Sequence, residues 1–329
     1  MQSVAFIFPG QGSQSVGMAK CVYDEFSREI ADKANEILGY DLSEIMFCGP
    51  AEILNKTQYC QPAILTANVM IWDAFVRRNG VVPSCVAGHS VGEYAAFVAS
   101  GAMSFEVALH LIKIRAEAMD KASPKDASGE PAGAMCAILG ADKDVVARAI
   151  REYFDEEGSV NTGGEDGQGQ GGEDKRCSIA NYNCPGQVVI TGLYEDVVAV
   201  REVAIGLGAK KGIMLPVSGP FHSKWMQTAA EHLRRAASSV QIFVPKIPII
   251  SNVTARPILT PEEIRGLIPI QVTSPVLWED SIATMVDMGV CTFIEIGNGN
   301  VLTGISKRCA PSMSFISVQN PLGAPVSLS

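Results

Sequence analysis

Several features that would assign a chain to a particular protein class are missing from these 329 residues. No apolar run reaches the roughly 18 to 20 residues that a membrane-spanning helix needs. The N-terminal segment has neither the basic region nor the cleavage site of a targeting peptide. The nine cysteines include no C-x-x-C pair, which is typical of scattered thiols rather than of a metal site. We therefore expect a soluble protein without a metal, in a bacterial cytoplasm or in the mitochondrion or plastid of a eukaryote.

Acidic residues outnumber basic ones, with 35 Asp and Glu against 26 Lys and Arg, so the formal net charge is −9 at pH 7. This balance argues against non-specific nucleic-acid binding, so an acidic protein partner would need a local basic patch. The candidates are the pairs Lys210-Lys211, Arg234-Arg235 and Lys307-Arg308. With 47% apolar and 19% charged residues, the composition is that of a globular protein long enough for one large or two ordinary domains. We expect a monomer that binds neither nucleic acid nor membrane.

A serine flanked by two glycines is the most informative feature that the sequence does contain. An apolar run over residues 81–87 ends in Gly88-His-Ser-Val-Gly92, and an alanine-rich helical segment follows over 93–100. A strand, a sharp turn and a helix in this order present a nucleophilic serine at the carboxyl end of a sheet, and the crowded turn needs glycines on both sides. The pattern therefore favours Ser90 as a nucleophile over a glycine turn that happens to contain serine.

A serine nucleophile needs a base, and the chain has four histidines. His89 adjoins the serine and should point away from it, while His110 and His232 lie in predicted helices. His222 follows a predicted strand in a loop bounded by Gly and Pro, where functional groups are usually presented. We predict His222 as the base. No Asp follows it closely in the chain, so a backbone carbonyl could orient the ring in place of a carboxylate.

A positive charge is predicted to lie inside an apolar helix face. The segment 104–120 reads as a helix that Ser104 can cap. One face of that helix collects residues at helical spacing, namely Ala108, Leu111, Ile112, Arg115 and Met119. A buried guanidinium is costly unless an anion meets it. The partner of Arg115 is either an internal Asp or Glu or a carboxylate on the substrate, which the planar fork of Arg binds through two hydrogen bonds.

The pattern of elements changes after a linker-like stretch over residues 122–131. The predicted order then becomes strand, helix, strand, strand, helix, strand, which is typical of a ferredoxin-like unit. We predict a discontinuous large α/β domain, 1–131 and 217–329, interrupted by a small subdomain, 132–216. Within the latter, a Gly-rich and acidic stretch at about 156–175 cannot bury a core and is predicted to be a flexible insertion.

Six segments together resemble the malonyl-CoA:acyl carrier protein transacylase family. The resemblance keeps the family's order over about residues 4–311, and several motifs at consistent spacing are more specific than any one of them. The segments are Pro9-Gly-Gln-Gly-Ser-Gln14, Gly88-His-Ser-Val-Gly-Glu-Tyr94, Arg115, Asn181-Tyr-Asn-Cys-Pro-Gly-Gln-Val-Val-Ile-Thr-Gly192, Gly219-Pro-Phe-His222 and Val301-Leu-Thr-Gly-Ile-Ser-Lys-Arg308.

The resemblance implies a large α/β-hydrolase-like domain with a parallel sheet, interrupted by a ferredoxin-like subdomain. It also implies a role for each matching residue. These are Ser90 as nucleophile, His222 as base, the N–H groups of Gln11 and Val91 as oxyanion hole, Arg115 for the malonyl carboxylate, the main-chain carbonyl of Gln271 for orienting the histidine, Asn183 and Asn252 near the pocket, and Phe221 for selecting malonyl over methylmalonyl. The sequence departs from the family at Val91, where Leu is commoner, and at Asn298, which replaces a usual proline.

The activity that the resemblance implies is malonyl transfer from malonyl-CoA to the phosphopantetheine thiol of acyl carrier protein, through a malonyl-Ser90 intermediate. Such a reaction feeds fatty-acid synthesis and needs no tightly bound cofactor, because malonyl-CoA and the phosphopantetheinylated carrier are substrates. Two other readings share the serine turn. One is a serine hydrolase or thioesterase acting on acyl-CoA, and the other is an acyltransferase that serves a polyketide system in trans.

Overall fold

The computed structural model describes residues 3–23, 25–160, 176–217 and 219–322, with the backbone alone at 25, 26 and 156–160. This part of the chain forms a mixed α/β fold with two sheets. The strands are β1 (Ser3–Phe8), β2 (Cys85–Gly88), β3 (Gly133–Leu139), β4 (Cys177–Cys184), β5 (Gln187–Leu193), β6 (Lys211–Met214), β7 (Ile249–Ile250), β8 (Pro257–Ile258), β9 (Val276–Leu277), β10 (Val290–Ile296) and β11 (Ser314–Val318).

Helices surround these strands, and none that the described residues form is both long enough and apolar enough to span a bilayer. Two short 3₁₀ turns lie at Lys20–Val22 and Lys224–Met226. The α-helices are α1 (Glu25–Leu38), α2 (Leu42–Cys48), α3 (Ala51–Leu54), α4 (Thr57–Asn79), α5 (Gly92–Ala99), α6 (Phe105–Ala122), α7 (Lys143–Val160), α8 (Tyr194–Gly206), α9 (Gln227–Ser239), α10 (Pro261–Gln271), α11 (Trp278–Asp287) and α12 (Val301–Cys309).

The larger sheet has the strand order β11-β10-β1-β2-β7-β8 and is parallel except for β8. The residues of β1 from Val4 to Phe8 are buried, as expected for a strand covered on both faces. Phe8 pairs with Gly88 at the carboxyl ends of β1 and β2. The loops that follow these two strands therefore leave the sheet side by side.

The smaller sheet has the order β6-β3-β5-β4-β9. Its strands β3 to β6 pair with one another in antiparallel orientation, and the chain runs β3, α7, β4, β5, α8, β6. The two-residue strand β9 comes from a distant part of the chain and pairs in parallel with β4. One sheet thus joins residues 133–214 to the segment around Val276.

The flexible insertion predicted at about 156–175 stays a prediction, although helix α7 extends over its first residues. Helix α7 continues to Val160, because the acidic residues Asp155, Glu156 and Glu157 are compatible with helix once the preceding turns have formed. Residues 161–175, which make up the rest of that prediction, lie outside the described residues.

Helix α6 buries the face that its sequence predicted. The Ser104 hydroxyl caps the helix by accepting the Val107 N–H at 3.3 Å. Ala108, Leu111, Ile112 and Met119 are buried, and so is the side chain that lies among them, Arg115, with a relative exposure of 1%. The helix packs against α4 and α9, which closes this face off from water.

Helix α12 is capped by a carboxylate from the larger sheet. The buried Glu295 on β10 accepts the Leu302 N–H at 3.0 Å and the Thr303 N–H at 2.7 Å. The N-cap residue itself, Asn300, makes no side-chain capping bond. Glu295 therefore supplies two of the acceptors that the first turn of a helix lacks, and it fixes α12 to the end of β10.

Replacing Glu295 with Ala should lower the free energy of unfolding by about 1 to 3 kcal/mol, because a backbone N–H loses its acceptor inside the protein. Urea unfolding followed by circular dichroism measures this change. Glu231→Ala on the exposed face of α9 is the matched control and should change the free energy by less than about 0.5 kcal/mol. Equal stability of the two variants would contradict the capping role.

Candidate active site

Ser90 occupies a strained turn between β2 and α5, with a φ of +52°. A left-handed conformation costs a non-glycine residue on the order of 1 to 3 kcal/mol. Steric crowding in the turn requires glycine at both flanking positions. A Cβ on Gly88 would lie 2.0 Å from the carbonyl carbon of Gly92, and a Cβ on Gly92 would lie 2.2 Å from the carbonyl oxygen of Phe8. The sharp turn is thus possible only with glycine two residues before and two after the serine.

His222 is the histidine whose ring reaches Ser90. Its Nε2 lies 2.7 Å from the Ser90 Oγ, and its own φ is +59°. The Nδ1 atom lies 2.9 Å from the carbonyl oxygen of Gln271 and 3.1 Å from that of Ser274. Since a carbonyl only accepts, the ring proton belongs on Nδ1, which leaves Nε2 free to accept the serine hydroxyl proton. A backbone carbonyl, not a carboxylate, faces Nδ1.

The environment of His222 keeps its ring neutral. Burial, and after it the nearby guanidinium of Arg115, lowers the pKa of His222 to about 3. Both causes disfavour the charged imidazolium. At neutral pH the ring is therefore unprotonated at Nε2, which is the state that a general base needs.

Arg115 shares the site with the serine and the histidine. Its Nη2 donates to the Ser90 Oγ at 3.1 Å and to the Gln271 Oε1 at 3.2 Å, and its Nη1 donates to the Gln61 Oε1 at 2.6 Å. Among the described residues, no carboxylate oxygen lies within 4.0 Å of the guanidinium, and its Nε has no hydrogen-bond partner. The internal ion pair that the sequence left open is absent from this part of the chain.

The serine opens into a cavity of about 240 Å³ between the two sheets. This volume is below the roughly 300 to 1,000 Å³ of sites for drug-sized ligands, so it suits a small group. Loops after β1 and β2, strands β3 to β5, the segment before α9 and the start of α12 all contribute. The lining residues are Pro9, Gly10, Gln11, Gly12, His89, Ser90, Met135, Ala137, Asn181, Asn183, Gln187, Val189, Leu215, Val217, Phe221, His222, Val301, Leu302 and Ile305.

The predicted oxyanion-hole N–H groups belong to Gln11, in the loop after β1, and to Val91, in the turn that follows Ser90. The loop of Gln11 presses on the turn so closely that a Cβ on Gly10 would lie 2.3 Å from the His89 carbonyl oxygen. Val91 directly precedes the first residue of α5, where free N–H groups and the helix dipole favour negative charge. Within the described residues, neither the Gln11 N–H nor the Val91 N–H has an acceptor. Both can donate to a substrate oxygen.

The two asparagines predicted near the pocket, Asn183 and Asn252, lie in different places. Asn183 lines the cavity, and its Oδ1 is 2.9 Å from the His89 Nε2. Asn252 is not among the residues that line the cavity but contacts the Ser90 turn, and its predicted role toward the substrate stays a prediction. It is buried behind the turn, where its Nδ2 donates to the Gly88 carbonyl at 2.6 Å and its Oδ1 accepts the Ser90 N–H at 2.7 Å. A short amide side chain thus holds the strained turn from behind.

Three polar side chains of the site were not expected. They are Gln61, Glu93 and the amide of Gln271, all of them buried. The signal for Gln61 was its position in the long apolar segment that became α4, since a buried amide needs a hydrogen-bond partner. Glu93 and the Gln271 amide gave no comparable signal, because each lies at a helix end, where polar residues are usual.

Among the residues described, no group of three or more His, Cys, Asp or Glu side chains is arranged to hold an ion. All nine cysteines are free thiols. The chemistry available here comes from a hydroxyl, a neutral imidazole, a guanidinium and backbone N–H groups.

Comparison with known proteins adds independent information. The acyl transferase domain family matches residues 5–168. A malonyl CoA-acyl carrier protein transacylase of Bacillus subtilis is 40% identical over 98% of this chain and 95% of its own length. A crystal structure of an acyl carrier protein S-malonyltransferase from Vibrio cholerae has a TM-score of 0.84 at 35% identity and covers 96% of both chains. A malonyl-transacylase in complex with a type II polyketide synthase acyl carrier protein has a TM-score of 0.85 at 35% identity, over 97% of this chain and 96% of that one.

The lowered pKa of His222 is testable by nuclear magnetic resonance. From about pH 8 down to about pH 5, the ring should stay neutral with its proton on Nδ1, and ¹⁵N shifts of the imidazole report this state directly. Because the unfolded chain takes up the same proton at higher pH, this group lowers the stability of the fold as the pH falls from about 6.5 toward 3. His222→Gln assigns the signal, and a protonation midpoint near 6.5 would refute the neutral-ring account.

Proposed function

Because this chain belongs to the malonyl CoA-acyl carrier protein transacylase family, we propose that it transfers malonyl from malonyl-CoA to the phosphopantetheine thiol of acyl carrier protein. The observation that carries the proposal is the guanidinium of Arg115, buried 3.1 Å from the Ser90 hydroxyl and free of any direct carboxylate partner among the described residues. A cation in this position is matched by the free carboxylate of a malonyl group and by nothing on an acetyl group.

The first half-reaction forms an ester on Ser90. His222 takes the hydroxyl proton on Nε2 while Oγ attacks the thioester carbonyl carbon. The N–H groups of Gln11 and Val91 stabilise the negative charge that develops on the carbonyl oxygen, and one such donor is typically worth ~10²–10³ in rate. The carbon–sulfur bond then breaks, His222 returns the proton to the sulfur, and coenzyme A leaves.

The second half-reaction runs the same steps toward a different thiol. The phosphopantetheine thiol of the carrier gives its proton to His222 and attacks the malonyl ester, after which the Ser90 oxygen leaves and recovers the proton. One site thus serves two substrates in turn, which predicts ping-pong kinetics. No tightly bound cofactor is needed, since both thioester partners are substrates.

Arg115 selects the acyl group and, in the free site, lowers the basicity of His222. In the free site its Nη2 donates to the Ser90 Oγ. Once that oxygen is an ester it accepts hydrogen bonds poorly, so the donor becomes available to the malonyl carboxylate. The guanidinium is also the second cause, after burial, of the low pKa of His222. A carboxylate that cancels part of this charge raises the pKa of His222, so the malonyl substrate improves its own base.

Phe221 is proposed to exclude a branched acyl group. Its side chain is 4% exposed and lines the cavity next to His222. A ring in that place occupies the volume that an α-methyl group would need. Discrimination by one methyl is worth about 1 to 3 kcal/mol, which favours malonyl over methylmalonyl.

The domain organisation is part of the proposal. We assign residues 1–131 and 217–329 to a large α/β-hydrolase-like domain and residues 132–216 to a ferredoxin-like subdomain. The antiparallel order β6-β3-β5-β4 and the two intervening helices support the subdomain, while the parallel strands around β1 support the large domain. Strand β9 crosses this division by pairing with β4, so the two parts share a sheet at the cavity.

The partner and the setting follow from the same proposal. We assign acyl carrier protein as the protein substrate, supported by the relative that was solved together with its carrier, and we expect the enzyme to act as a monomer in fatty-acid synthesis. The polyketide system of that relative makes a polyketide carrier the second candidate. Nine free thiols support a reducing compartment, and relatives from Bacillus subtilis and Vibrio cholerae favour a bacterial setting over an organelle.

Intact-protein mass spectrometry after brief exposure to malonyl-CoA tests the function. The protein should gain one malonyl group, peptide mapping should place it on Ser90, and addition of phosphopantetheinylated carrier should move it to the carrier. Ser90→Ala is the control and should gain nothing. Release of malonate to water with no labelled carrier would instead identify a hydrolase, and no adduct at all would reject acyl transfer.

Replacing Arg115 with Ala should lower kcat/KM for malonyl transfer by roughly 30- to 4,000-fold, the equivalent of about 2 to 5 kcal/mol for the loss of one partner from a buried charge pair. Acetyl transfer should improve relative to malonyl transfer, because the unmet guanidinium no longer penalises it. Steady-state assays with both thioesters measure the ratio. Arg115→Lys keeps the charge without the planar fork, so its malonyl-to-acetyl ratio should lie between that of the unaltered protein and that of Arg115→Ala. An unchanged malonyl-to-acetyl ratio would reject this role.

A further inference from the structure

Glu93 is a buried carboxylate that the steps above do not use. It lies in the first turn of α5 with a relative exposure of 3%. Its Oε1 accepts the Asn252 backbone N–H at 2.8 Å, and its Oε2 accepts a hydrogen bond from the Gln271 Nε2 at 2.5 Å. Both oxygens are therefore occupied by donors that belong to residues of the active site.

The hydrogen-bond pattern fixes which way the Gln271 amide faces. Its oxygen must face Arg115, since a guanidinium only donates, and Nη2 lies 3.2 Å away. The amide nitrogen therefore faces the other side, where it donates to Glu93 and, at 3.0 Å, to the Ser90 carbonyl oxygen. The result is an ordered row of cation, amide and anion that runs from Arg115 through Gln271 to Glu93.

A bridged pair differs from a direct ion pair in one respect that matters for binding. A carboxylate in direct contact would occupy the guanidinium fork, which is the surface that a malonyl carboxylate needs. With the amide in between, Glu93 compensates the buried charge while the fork keeps N–H groups for the substrate. The Nη2–H that now meets the Ser90 Oγ is one of these.

The same carboxylate also reaches the other two reactive groups. Asn252, whose backbone N–H binds Glu93, holds the Gly88 carbonyl and the Ser90 N–H with its side chain. The main-chain carbonyl of Gln271 orients His222. Glu93 thus contacts the two residues that position the nucleophile, the base and the cation.

We infer that Glu93 is a positioning residue for malonyl transfer, holding Arg115 in its receptive orientation through the Gln271 amide without occupying the guanidinium fork. The inference rests on the proposed function of the site. Burial raises the pKa of Glu93 to about 7, but two N–H donors converge on its oxygens. Since only the carboxylate accepts both without a competing O–H, the hydrogen-bond pattern favours the charged form.

Glu93→Gln tests the inference through substrate choice. The variant loses the charge and presents an NH₂ group to one of two donors, so the Gln271 amide loses its fixed orientation. Malonyl kcat should fall on the order of 10- to 100-fold, because misplacing a positioning group by about 1 Å can cost about 10²-fold. Acetyl transfer should fall less, because it does not use Arg115. The malonyl-to-acetyl ratio of kcat/KM, measured on the full chain, should therefore decrease.

A second variant keeps the inference testable if Glu93→Gln does not fold. Gln271→Met removes the bridging amide and keeps the main-chain carbonyl that orients His222. It should lower the malonyl-to-acetyl ratio in the same direction, and the double variant Glu93→Gln/Gln271→Met should add little to either single change, since both cut one connection. Glu93→Asp keeps the charge and should restore part of the ratio. Glu231→Gln on the exposed face of α9 should leave it unchanged.

The outcomes separate this inference from the proposed function. If the unaltered protein does not take up malonyl from malonyl-CoA, the proposed function fails. If it does, and both single variants keep its malonyl-to-acetyl ratio while activity only follows the folded fraction, Glu93 is a structural residue and the positioning role is overturned. Additive effects of the two substitutions on the ratio would likewise overturn the route through Gln271.

Discussion

The site depends on one costly interaction, the burial of the Arg115 guanidinium 3.1 Å from the Ser90 hydroxyl. A buried cation is tolerated only where hydrogen bonds and a compensating charge meet it. Here two neutral amides, from Gln61 and Gln271, take its N–H groups, and the nearest compensation comes through the second amide from Glu93. The charge is therefore held in place without a direct carboxylate partner among the described residues, at the position where the proposed function places the malonyl carboxylate.

The rest of the scaffold concentrates strain beside that charge. Both Ser90 and His222 have positive φ values, +52° and +59°, in a conformation that costs a side-chain-bearing residue stabilisation. The surrounding fold supplies the compensation. Gly88 and Gly92 leave space for the turn, the Asn252 side chain binds it from behind, and two carbonyls hold the His222 ring. The groups that the proposed mechanism uses are thus already positioned in the free protein, and such preorganisation lowers the cost of reaching a transition state.

Sequence reasoning succeeded where the signal is local and stopped where it is not. The Ser90 turn, the Ser104 cap and the apolar face around Arg115 follow from neighbouring residues, and the structure places all three as the spacing predicts. Of the apolar residues 247–250, only Ile249 and Ile250 form a strand, β7, because the chain turns directly after them and the Ser251 hydroxyl accepts the N–H groups of Val253 and Thr254.

The polar residues around Arg115 could not be foreseen in the same way. Gln61 lies 54 positions from Arg115, and Glu93 lies 178 positions from Gln271. Such residues are usually exposed, and only the tertiary fold shows that these face one another.

A crystal structure of the malonyl-enzyme tests the central claim most directly. The malonyl carboxylate should lie within hydrogen-bond distance of the Arg115 guanidinium, with the Nη2 bond transferred to it from the Ser90 Oγ. A carboxylate that points elsewhere, with Arg115 still bound only to its two glutamines and the serine oxygen, would contradict the account.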